Sequence, residues 1–461
     1  MTSAAIPNAP PAAPRLGAGG WLGVLAAFCI LYALTAQQAV SWQDSGEFQW
    51  RALNNDLAGT MGLARAHPLY IVAGHALSLI SLRHFPWLLN AFSGLGGAVA
   101  LANLAVLTTW LSRRRWIGLT VAAMLGVSHA FWWLSTAAEV YTWSVAGLTG
   151  ELCLLIMLIH QPRAWVLIAL AAVNGLGLCV HNFALLPLPV YLTVVIWLIA
   201  KGRLRAGWLL AAAAAWLAGA GLLIYLVIEL TLRTGSVWGA VTSALVGDFS
   251  GKVLNLTDAS KYLKANAALS ALSLCNLLLP LAIVGWIRLR RHVGGAAAGA
   301  IWAISALHIL FFVRYPVPDQ FTFILPTMVM LAVAAAVGLA EVASWGVRWR
   351  AATISLCWLG VALDPLLYAI GPSLVPQKMV EAMRTNKLPR DEVRYWLTPW
   401  KQDERSAQEY ARKTLSQAAP GTVLRPDSTS VYALLLIQRL EGLGPEVIII
   451  PPPGTSSSPP S

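Results

Sequence analysis

The chain alternates between long apolar runs and short polar connections. Most runs are close to the roughly 20 residues that a helix needs to cross a bilayer. They predict spans at 21–40, 87–111, 116–135, 142–160, 164–181, 183–200, 208–231, 268–287, 297–313, 320–340 and 351–370. The predicted fold class is therefore an all-α polytopic membrane protein with about 11 transmembrane helices.

Composition supports this class and removes one alternative. Of the 461 residues, 57% are hydrophobic and only 11% are charged, whereas soluble domains carry about 25% charged residues. The net charge of +12 would also suit a nucleic-acid-binding protein. The basic residues, however, lie in short clusters between apolar runs, which is typical of topology signals in membrane proteins. We therefore do not expect a nucleic-acid partner.

One further apolar run, 68–82, is too short to assign by length alone. If it crossed the membrane, the clusters at 113–115 and 201–205 would lie outside, against the tendency of basic loops to remain cytoplasmic. If it lies along the outer surface or re-enters, every basic cluster is cytoplasmic. This predicts an outer juxtamembrane helix, a cytoplasmic N-terminus and an extracytoplasmic C-terminus.

Composition along the chain predicts four regions. They are a disordered cytoplasmic tail at 1–19, a transmembrane domain at 20–370, an extracytoplasmic α/β domain at 371–450 and a disordered end at 451–461. The predicted α/β domain has alternating elements. We expect a helix at 403–417, a strand at 422–425, a helix at 429–442 and a strand at 447–450.

The first two carboxylates of the chain, Asp44 and Glu47, directly follow the first apolar run. Three residues apart, they share one face if the segment is helical. An acid at the end of a membrane span is costly unless it is solvated or paired, so this position indicates function. One of the two can act as general base on an acceptor hydroxyl. The alternatives are the polar end of a helix and a pair of ligands for a divalent cation.

Two other outer segments carry arginines that suit an anionic headgroup. Arg65 and His67 precede Pro68, so His67 could simply start a helix. Arg314 and Asp319 flank two prolines that end a late span. The alternative for Arg314 is ordinary interfacial anchoring.

The remaining candidates lie at the outer ends of middle spans. Glu139 and Tyr141 stand between two spans, where Glu139 is either an interfacial charge or a cavity-lining group. His181 and Asn182 stand at a turn after a glycine-containing run, where a lone His is often structural. All of these residues are predicted to share the outer side.

Several short motifs occur together in a fixed order. They are Asp44-Ser45-Gly46-Glu47-Phe48, His67-Pro68-Leu69-Tyr70, Asn90-Ala91-Phe92-Ser93-Gly94-Leu95, Glu139-Val140-Tyr141, Gly175-Leu176-Gly177-Leu178 with His181-Asn182, and Tyr315 to Asp319. With this order and spacing, residues 20–340 resemble the protein O-mannosyltransferase-like membrane proteins of the GT-C glycosyltransferase superfamily.

The resemblance implies a polyprenyl-phosphate-linked sugar donor and a catalytic acid in the first outer loop. It also implies a GT-C-like fold with a juxtamembrane helix after that loop. By this comparison Asp44 is the expected base with Glu47 beside it, and His67, Glu139, His181 and Asp319 are expected to line the cavity. The expected reaction is an inverting transfer to a protein, lipid or glycan hydroxyl, in which Arg314 or Arg65 holds the departing lipid phosphate.

Two other classes of function remain possible for a sequence of this kind. A transporter or lipid flippase would have internal repeats and broken helices at mid-membrane, and no repeat between the halves is visible. A non-catalytic scaffold would leave Asp44 and Glu47 facing away from every cavity. The position of the two acids relative to a cavity therefore separates the scaffold from the enzyme.

Overall fold

A computed structural model of the chain describes residues 16–249, 267, 270–315, 320–383 and 388–453. The helices before the 249–267 interval are α1 (Gly17–Thr35), α2 (Gln43–Leu53), α3 (Pro68–Ile80), α4 (Phe85–Ser112), α5 (Arg115–Gly126), α6 (His129–Leu134), α7 (Tyr141–His160), α8 (Ala164–Val180), α9 (Leu188–Ala200), α10 (Trp208–Gly219), α11 (Gly221–Thr234) and α12 (Val237–Leu245). The later elements are α13 (Leu278–Val293), α14 (Gly295–Arg314), α15 (Leu325–Ser344), α16 (Val347–Leu374), α17 (Gln377–Met383), α18 (Glu392–Leu397), α19 (Ser406–Gln417), β1 (Val423–Leu424), α20 (Val431–Glu441) and β2 (Ile448–Ile449). Short 3₁₀ helices occupy Leu63–Arg65, Asn182–Leu185, Gly247–Phe249 and Gln320–Ile324.

Among the described residues, seven helices are long and apolar enough to cross a membrane, or eight if one bent pair forms a single span. The chain is thus an integral membrane protein with a mostly helical fold, as predicted. The predicted spans 116–135 and 164–181 coincide with shorter apolar helices, Arg115–Gly126 and Ala164–Val180. Of the predicted span 268–287, residues 268–269 lie outside the described residues, and α13 within it begins only at Leu278. The count of 11 stays a prediction.

Two spans differ from their predicted form. The first helix ends at Thr35 rather than residue 40. Beyond Thr35 a distant side chain satisfies the backbone in place of a helical hydrogen bond, since the Asn90 amide donates to the Gln37 carbonyl oxygen at 2.7 Å. The segment predicted as one span at 208–231 is a pair of helices bent by 70° at Ala220. Glycines on both sides of Ala220 weaken the helix there.

The core of the fold is α15, which is buried over its whole membrane-length window. It crosses α13 with the backbones in contact. A Cβ atom built on Gly285 would lie 1.8 Å from the Ala334 carbonyl oxygen, and one on Gly338 would lie 1.9 Å from that of Leu281. Small residues allow such close helix approach in membrane proteins.

The ambiguous run 68–82 forms α3, whose 13 residues cover about 20 Å at 1.5 Å per residue. This length falls short of the roughly 30 Å hydrocarbon core, so α3 fits the predicted juxtamembrane helix. One side of α3 packs against α2, while Leu79 and Ile80 at its end are exposed. Its placement along the outer surface stays a prediction.

The C-terminal region has the predicted order of helix, strand, helix and strand. Strands β1 and β2 are two residues each and pair in parallel, with Val423 opposite Ile448 and Leu424 opposite Ile449. Helix α16 continues to Leu374, past the predicted boundary at 370. The helix predicted from 403 begins at Ser406. The four region boundaries and the outer location of this unit stay predictions. Residues 1–15 and 454–461 of the predicted tails lie outside the described part.

Candidate functional site

The two acids of the first outer loop lie on α2, one helical turn apart. Both contact the same guanidinium: Arg65 Nη2 is 3.2 Å from Asp44 Oδ2 and 3.2 Å from Glu47 Oε2. The Asp44 side chain is 52% exposed and the Glu47 side chain only 10%. Asp44 therefore faces open space, while Glu47 is a buried partner of Arg65. Burial raises the pKa of the Glu47 carboxyl, and Arg65 opposes that rise.

A second arginine, Arg51, organises the loop behind these acids and was not singled out from the sequence. Its side chain is 1% exposed and approaches Glu47 at 3.8 Å. The guanidinium donates to the carbonyl oxygens of Arg65 at 2.9 Å and Ala66 at 2.7 Å. It also donates to those of Asp56 and Leu57, each at 3.2 Å. Arg51 thus fixes both ends of the segment that delivers Arg65.

A cavity of about 720 Å³ opens in front of Asp44. Eight of the predicted site residues line it, drawn from five separate segments of the chain. They are Asp44, Arg65, His67, Glu139, Tyr141, His181, Asn182 and Arg314. Glu47 stands behind Arg65, and Asp319 lies outside the described residues. Asp44 lines the cavity, so the two acids do not both face away from it, as the scaffold alternative requires.

The position of Glu139 is set from two sides. The Ser45 hydroxyl, one residue after Asp44, donates to Glu139 Oε1 at 2.9 Å. Ser93 Oγ lies 2.9 Å from both the backbone nitrogen and the carbonyl oxygen of Glu139. The motif that contains Asn90 and Ser93 therefore positions residues of the site. Asn90 holds the loop before α2, and Ser93 holds the loop of Glu139.

Two histidines form a stacked pair in the cavity wall. The rings of His67 and His181 are 5.3 Å apart and inclined by 15°. His67 Nδ1 lies 2.7 Å from the Val180 carbonyl oxygen, which only accepts, so Nδ1 carries the proton. His181 Nδ1 accepts from the Phe183 backbone N–H at 3.1 Å, so its proton is on Nε2. When both rings are neutral, Nε2 of His67 is an acceptor and Nε2 of His181 a donor.

His67 also adopts a left-handed backbone conformation, with φ of 48°. Non-glycine residues adopt this conformation rarely, and such positions concentrate at functional sites. The expectation that His67 starts α3 is correct in geometry, because it directly precedes Pro68. It lines the cavity as well, so the two interpretations are compatible.

The remaining predicted residues divide by their contacts. The Asn182 amide donates to the Ala244 and Leu245 carbonyl oxygens at 2.9 and 3.1 Å, so it caps the end of α12. Arg314 Nε is buried and finds no hydrogen-bond partner within the described ranges. Arg314 also lines the cavity, and a guanidinium in that position is suited to an anionic ligand.

The rest of the cavity lining is mostly apolar. Its wall contains Leu185, Leu186, Leu245, Val246, Leu307, Leu310 and Phe311. Leu245 and Leu310 are 49% and 58% exposed, so this wall reaches the outer surface of the helices. Phe183, Phe311 and Phe323 complete an aromatic end of the cavity. Sequence inspection missed these aromatic residues, because their runs look like any apolar span.

In the part of the chain that the structure describes, no group of three or more His, Cys, Asp or Glu side chains could hold a metal ion. Asp44 and Glu47 both face Arg65, which occupies the place that a cation shared by the two acids would take.

Comparison with known proteins decides the fold. Residues 44–204 match the family model of the protein O-mannosyl-transferase TMEM260 N-terminal domain. The crystal structure of ArnT from Cupriavidus metallidurans bound to undecaprenyl phosphate superposes with a TM-score of 0.61 at 13% identity, covering 94% of this chain and 90% of that one. The chain has the GT-C glycosyltransferase fold. The apo ArnT structure gives a TM-score of 0.55 at 15% identity, covering 91% and 85%.

A curated relative supports the same assignment. Over 116 residues the GT-C chain is 31% identical to undecaprenyl phosphate-alpha-4-amino-4-deoxy-L-arabinose arabinosyl transferase 2 of Sodalis glossinidius (strain morsitans). The match spans 23% of this chain and about a fifth of the relative, 21%. The predicted GT-C fold is confirmed, and both the matching family model and this relative are sugar transferases.

The neutral state of His67 predicts how stability depends on pH. Burial, reinforced by His181 and Arg51, lowers the pKa of His67 well below its ordinary value of 6.5. The unfolded chain takes up this proton as the pH falls through about 6.5, but the folded protein does not. The stabilising contribution of neutral His67 to the free energy of unfolding is therefore complete above that pH. It is lost as the pH falls towards the folded-state pKa. Between about pH 7 and pH 5, the unfolding temperature of a His67→Asn variant should therefore fall by less than that of the wild type.

The matched control is His84→Asn, since His84 is exposed. Its unfolding temperature in detergent should follow that of wild type over the same pH range. Equal pH dependence of the wild type and the His67 variant would contradict the predicted protonation state.

Proposed function

We propose that the chain transfers a sugar from a polyprenyl-phosphate-linked donor to an acceptor hydroxyl on the extracytoplasmic side of a bacterial inner membrane. The observation that carries this proposal is the mixed lining of one cavity. Asp44, Arg65 and Arg314 line it together with leucines and phenylalanines, and Leu245 and Leu310 are also exposed on the outer surface of the helices. A ligand with a phosphate at one end and a long isoprenoid at the other matches this mixed lining.

Asp44 is the proposed base, for a reason of geometry. It is the exposed member of the acid pair and lines the cavity, whereas Glu47 is buried behind Arg65. Glu47 therefore positions Arg65, and Arg65 orients Asp44. This assigns the chemistry to Asp44 alone and a supporting role to Glu47.

The proposed reaction is a single displacement. The acceptor O–H gives its proton to Asp44, and its oxygen forms a bond to the anomeric carbon of the sugar. The bond between that carbon and the phosphate oxygen breaks, and its electron pair leaves with the polyprenyl phosphate. Arg314 binds the phosphate as its charge increases, because a guanidinium matches phosphate geometry. Attack from the side opposite the leaving group inverts the anomeric centre.

The direct test uses the purified full-length protein in lipid nanodiscs with a panel of radiolabelled polyprenyl-phosphate sugars. Transfer to a soluble or lipid acceptor, with release of polyprenyl phosphate, supports the proposal. Mass spectrometry of glycans and glycoproteins from cells with and without the gene identifies the natural pair. A purified, folded protein that transfers no sugar from the panel, together with unchanged glycans in the deletion strain, contradicts it.

Arg314 provides a separate prediction on donor binding. Replacing it with Gln removes the charge that faces the lipid phosphate, and charge-assisted hydrogen bonds of this kind contribute about 1.5–3 kcal/mol. We expect the KM for the lipid donor to rise by roughly ten- to a hundredfold, measured in the nanodisc assay. Arg233→Gln is the matched control, because Arg233 is exposed and pairs with Glu229. An unchanged KM for Arg314→Gln would assign the phosphate to another residue.

A further inference from the structure

The C-terminal α/β unit contributes nothing to the cavity wall within the described residues, since the last lining residue is Phe323. It nevertheless packs against the segments that carry the two cavity-lining acids, Asp44 and Glu139. We define residues 395–432 as the C-terminal brace, because this stretch makes the contacts that follow.

The brace first holds the residue before α2. The Trp42 indole N–H donates to the Ser406 hydroxyl at 2.8 Å, and the Trp42 ring lies 5.4 Å from that of Tyr410. The Ser406 hydroxyl in turn donates to the carboxylate of Glu404. Trp42 is 1% exposed, so its indole N–H depends on Ser406 for a partner. Asp44 is two residues further along the chain.

The brace next fixes the first turn of α2 itself. Gln43 has a left-handed φ of 54°, and its backbone N–H donates to the Thr429 carbonyl oxygen at 3.1 Å. A Cβ atom built on Gly46 would lie 2.4 Å from the Ser41 carbonyl oxygen and 3.3 Å from Tyr432 Cβ. The glycine of the Asp-Ser-Gly-Glu motif is thus required by close packing between the loop, α2 and α20.

The brace also contacts the loop that leads to Glu139. The Thr136 hydroxyl donates to the Pro399 carbonyl oxygen at 2.7 Å, and the Trp133 indole N–H donates to that of Tyr395 at 3.1 Å. The two acid-bearing loops meet where Gln37 N–H donates to the Thr136 carbonyl oxygen at 2.9 Å. Lys401 N–H donates to the last residue of α1, Thr35, at 2.7 Å.

From these contacts we infer that the C-terminal brace sets the position of Asp44 and Glu139 in the cavity, with Ser406 as a positioning residue that acts through Trp42. The inference rests on the proposed function, because it assigns catalytic consequence to that position. It gives the α/β unit a role without any contact to substrate. A displacement of about 1 Å in such a group can cost up to about a hundredfold in rate.

The test compares three serine variants of the full-length protein on one helix. Ser406→Ala removes the partner of Trp42, and Ser406→Thr restores a hydroxyl. Ser416→Ala is the matched control, since Ser416 is exposed at the far end of α19 and bonds only to Lys413 of the same helix. We expect Ser406→Ala to lower kcat about ten- to a hundredfold with an unchanged KM for the donor. Ser406→Thr and Ser416→Ala should stay within about threefold of wild type.

Hydrogen–deuterium exchange supplies a readout that does not require activity. Amides of residues 36–50 should exchange faster in Ser406→Ala than in Ser416→Ala, at equal unfolding temperature. Unchanged exchange there, or normal kcat despite faster exchange, overturns the inference. A loss of kcat that follows the loss of folded protein, and is not restored by Thr, also overturns it. If the wild type transfers no sugar, the proposed function fails, and faster exchange in Ser406→Ala would then show a brace without the assigned catalytic role.

Discussion

Replacing Asp44 with Asn should reduce sugar transfer by roughly 10²- to 10⁴-fold in kcat, the usual contribution of a general base. The amide keeps the size of the side chain but cannot accept the acceptor proton. The KM for the lipid donor should change little, because Arg314 and the apolar wall remain. The measurement is transfer from the active polyprenyl-phosphate sugar at saturating donor. This is the largest effect on activity that the site geometry predicts.

The control for this variant is Asp403→Asn, an exposed acid of the C-terminal region that should leave kcat unchanged. Glu47→Gln distinguishes the two acids of α2. Because Glu47 holds Arg65 and does not face the acceptor, we expect a smaller loss than for Asp44→Asn. Full activity of Asp44→Asn would remove Asp44 as the base, and a greater loss for Glu47→Gln would exchange the two roles.

Replacing Arg51 with Met should have the largest effect on stability. The buried guanidinium donates to four carbonyl oxygens and neutralises part of the charge of Glu47. Methionine fills much of the same volume but leaves these four acceptors without a donor and leaves Glu47 with Arg65 as its cation. Breaking a buried charged network of this kind costs about 3–5 kcal/mol. We expect a clear drop in unfolding temperature and faster proteolysis between residues 54 and 67.

Arg83→Met is the matched control, since Arg83 is exposed and makes no comparable network. It should unfold at the temperature of wild type in the same detergent. If Arg51→Met were as stable as Arg83→Met, the loop that delivers Arg65 would be held by its apolar contacts, and Arg51 would not be its organiser.

Most of the helical fold could be predicted from apolar run length, because a chain in lipid has to satisfy its backbone within each span. The pair of acids and the C-terminal helix–strand order could also be predicted, because both follow from the pattern of neighbouring residues in the sequence. The end of α1 at Thr35 could not be, because the Asn90 side chain that replaces the helical hydrogen bonds comes from α4. The bend at Ala220 follows from a glycine on each side. These glycines are visible in the sequence, but they lie within a continuous apolar run that predicts a single span.

The site was predictable where its residues were polar in an apolar context. Asp44, Arg65, His67, Glu139, His181 and Arg314 all met that condition. Arg51 did not stand out, because its partners are carbonyl groups that come together only when the 54–67 loop has folded. The aromatic end formed by Phe183, Phe311 and Phe323 was missed for the opposite reason, since an aromatic residue in a span gives no sign of whether it faces lipid or a cavity.

The hydrogen bonds from Asn182 to the end of α12 have a consequence for the rate of multiple turnover. Leu245 and Val246, at the end of that helix, form part of the apolar wall, and the Asn182 amide ties this end to the turn that holds His181. Under the proposed reaction, every cycle leaves a spent carrier lipid that has to depart sideways past this wall. Egress of a product often limits turnover in enzymes. We therefore expect multiple-turnover rates to depend on bilayer fluidity, whereas a single round of transfer should be nearly insensitive to it.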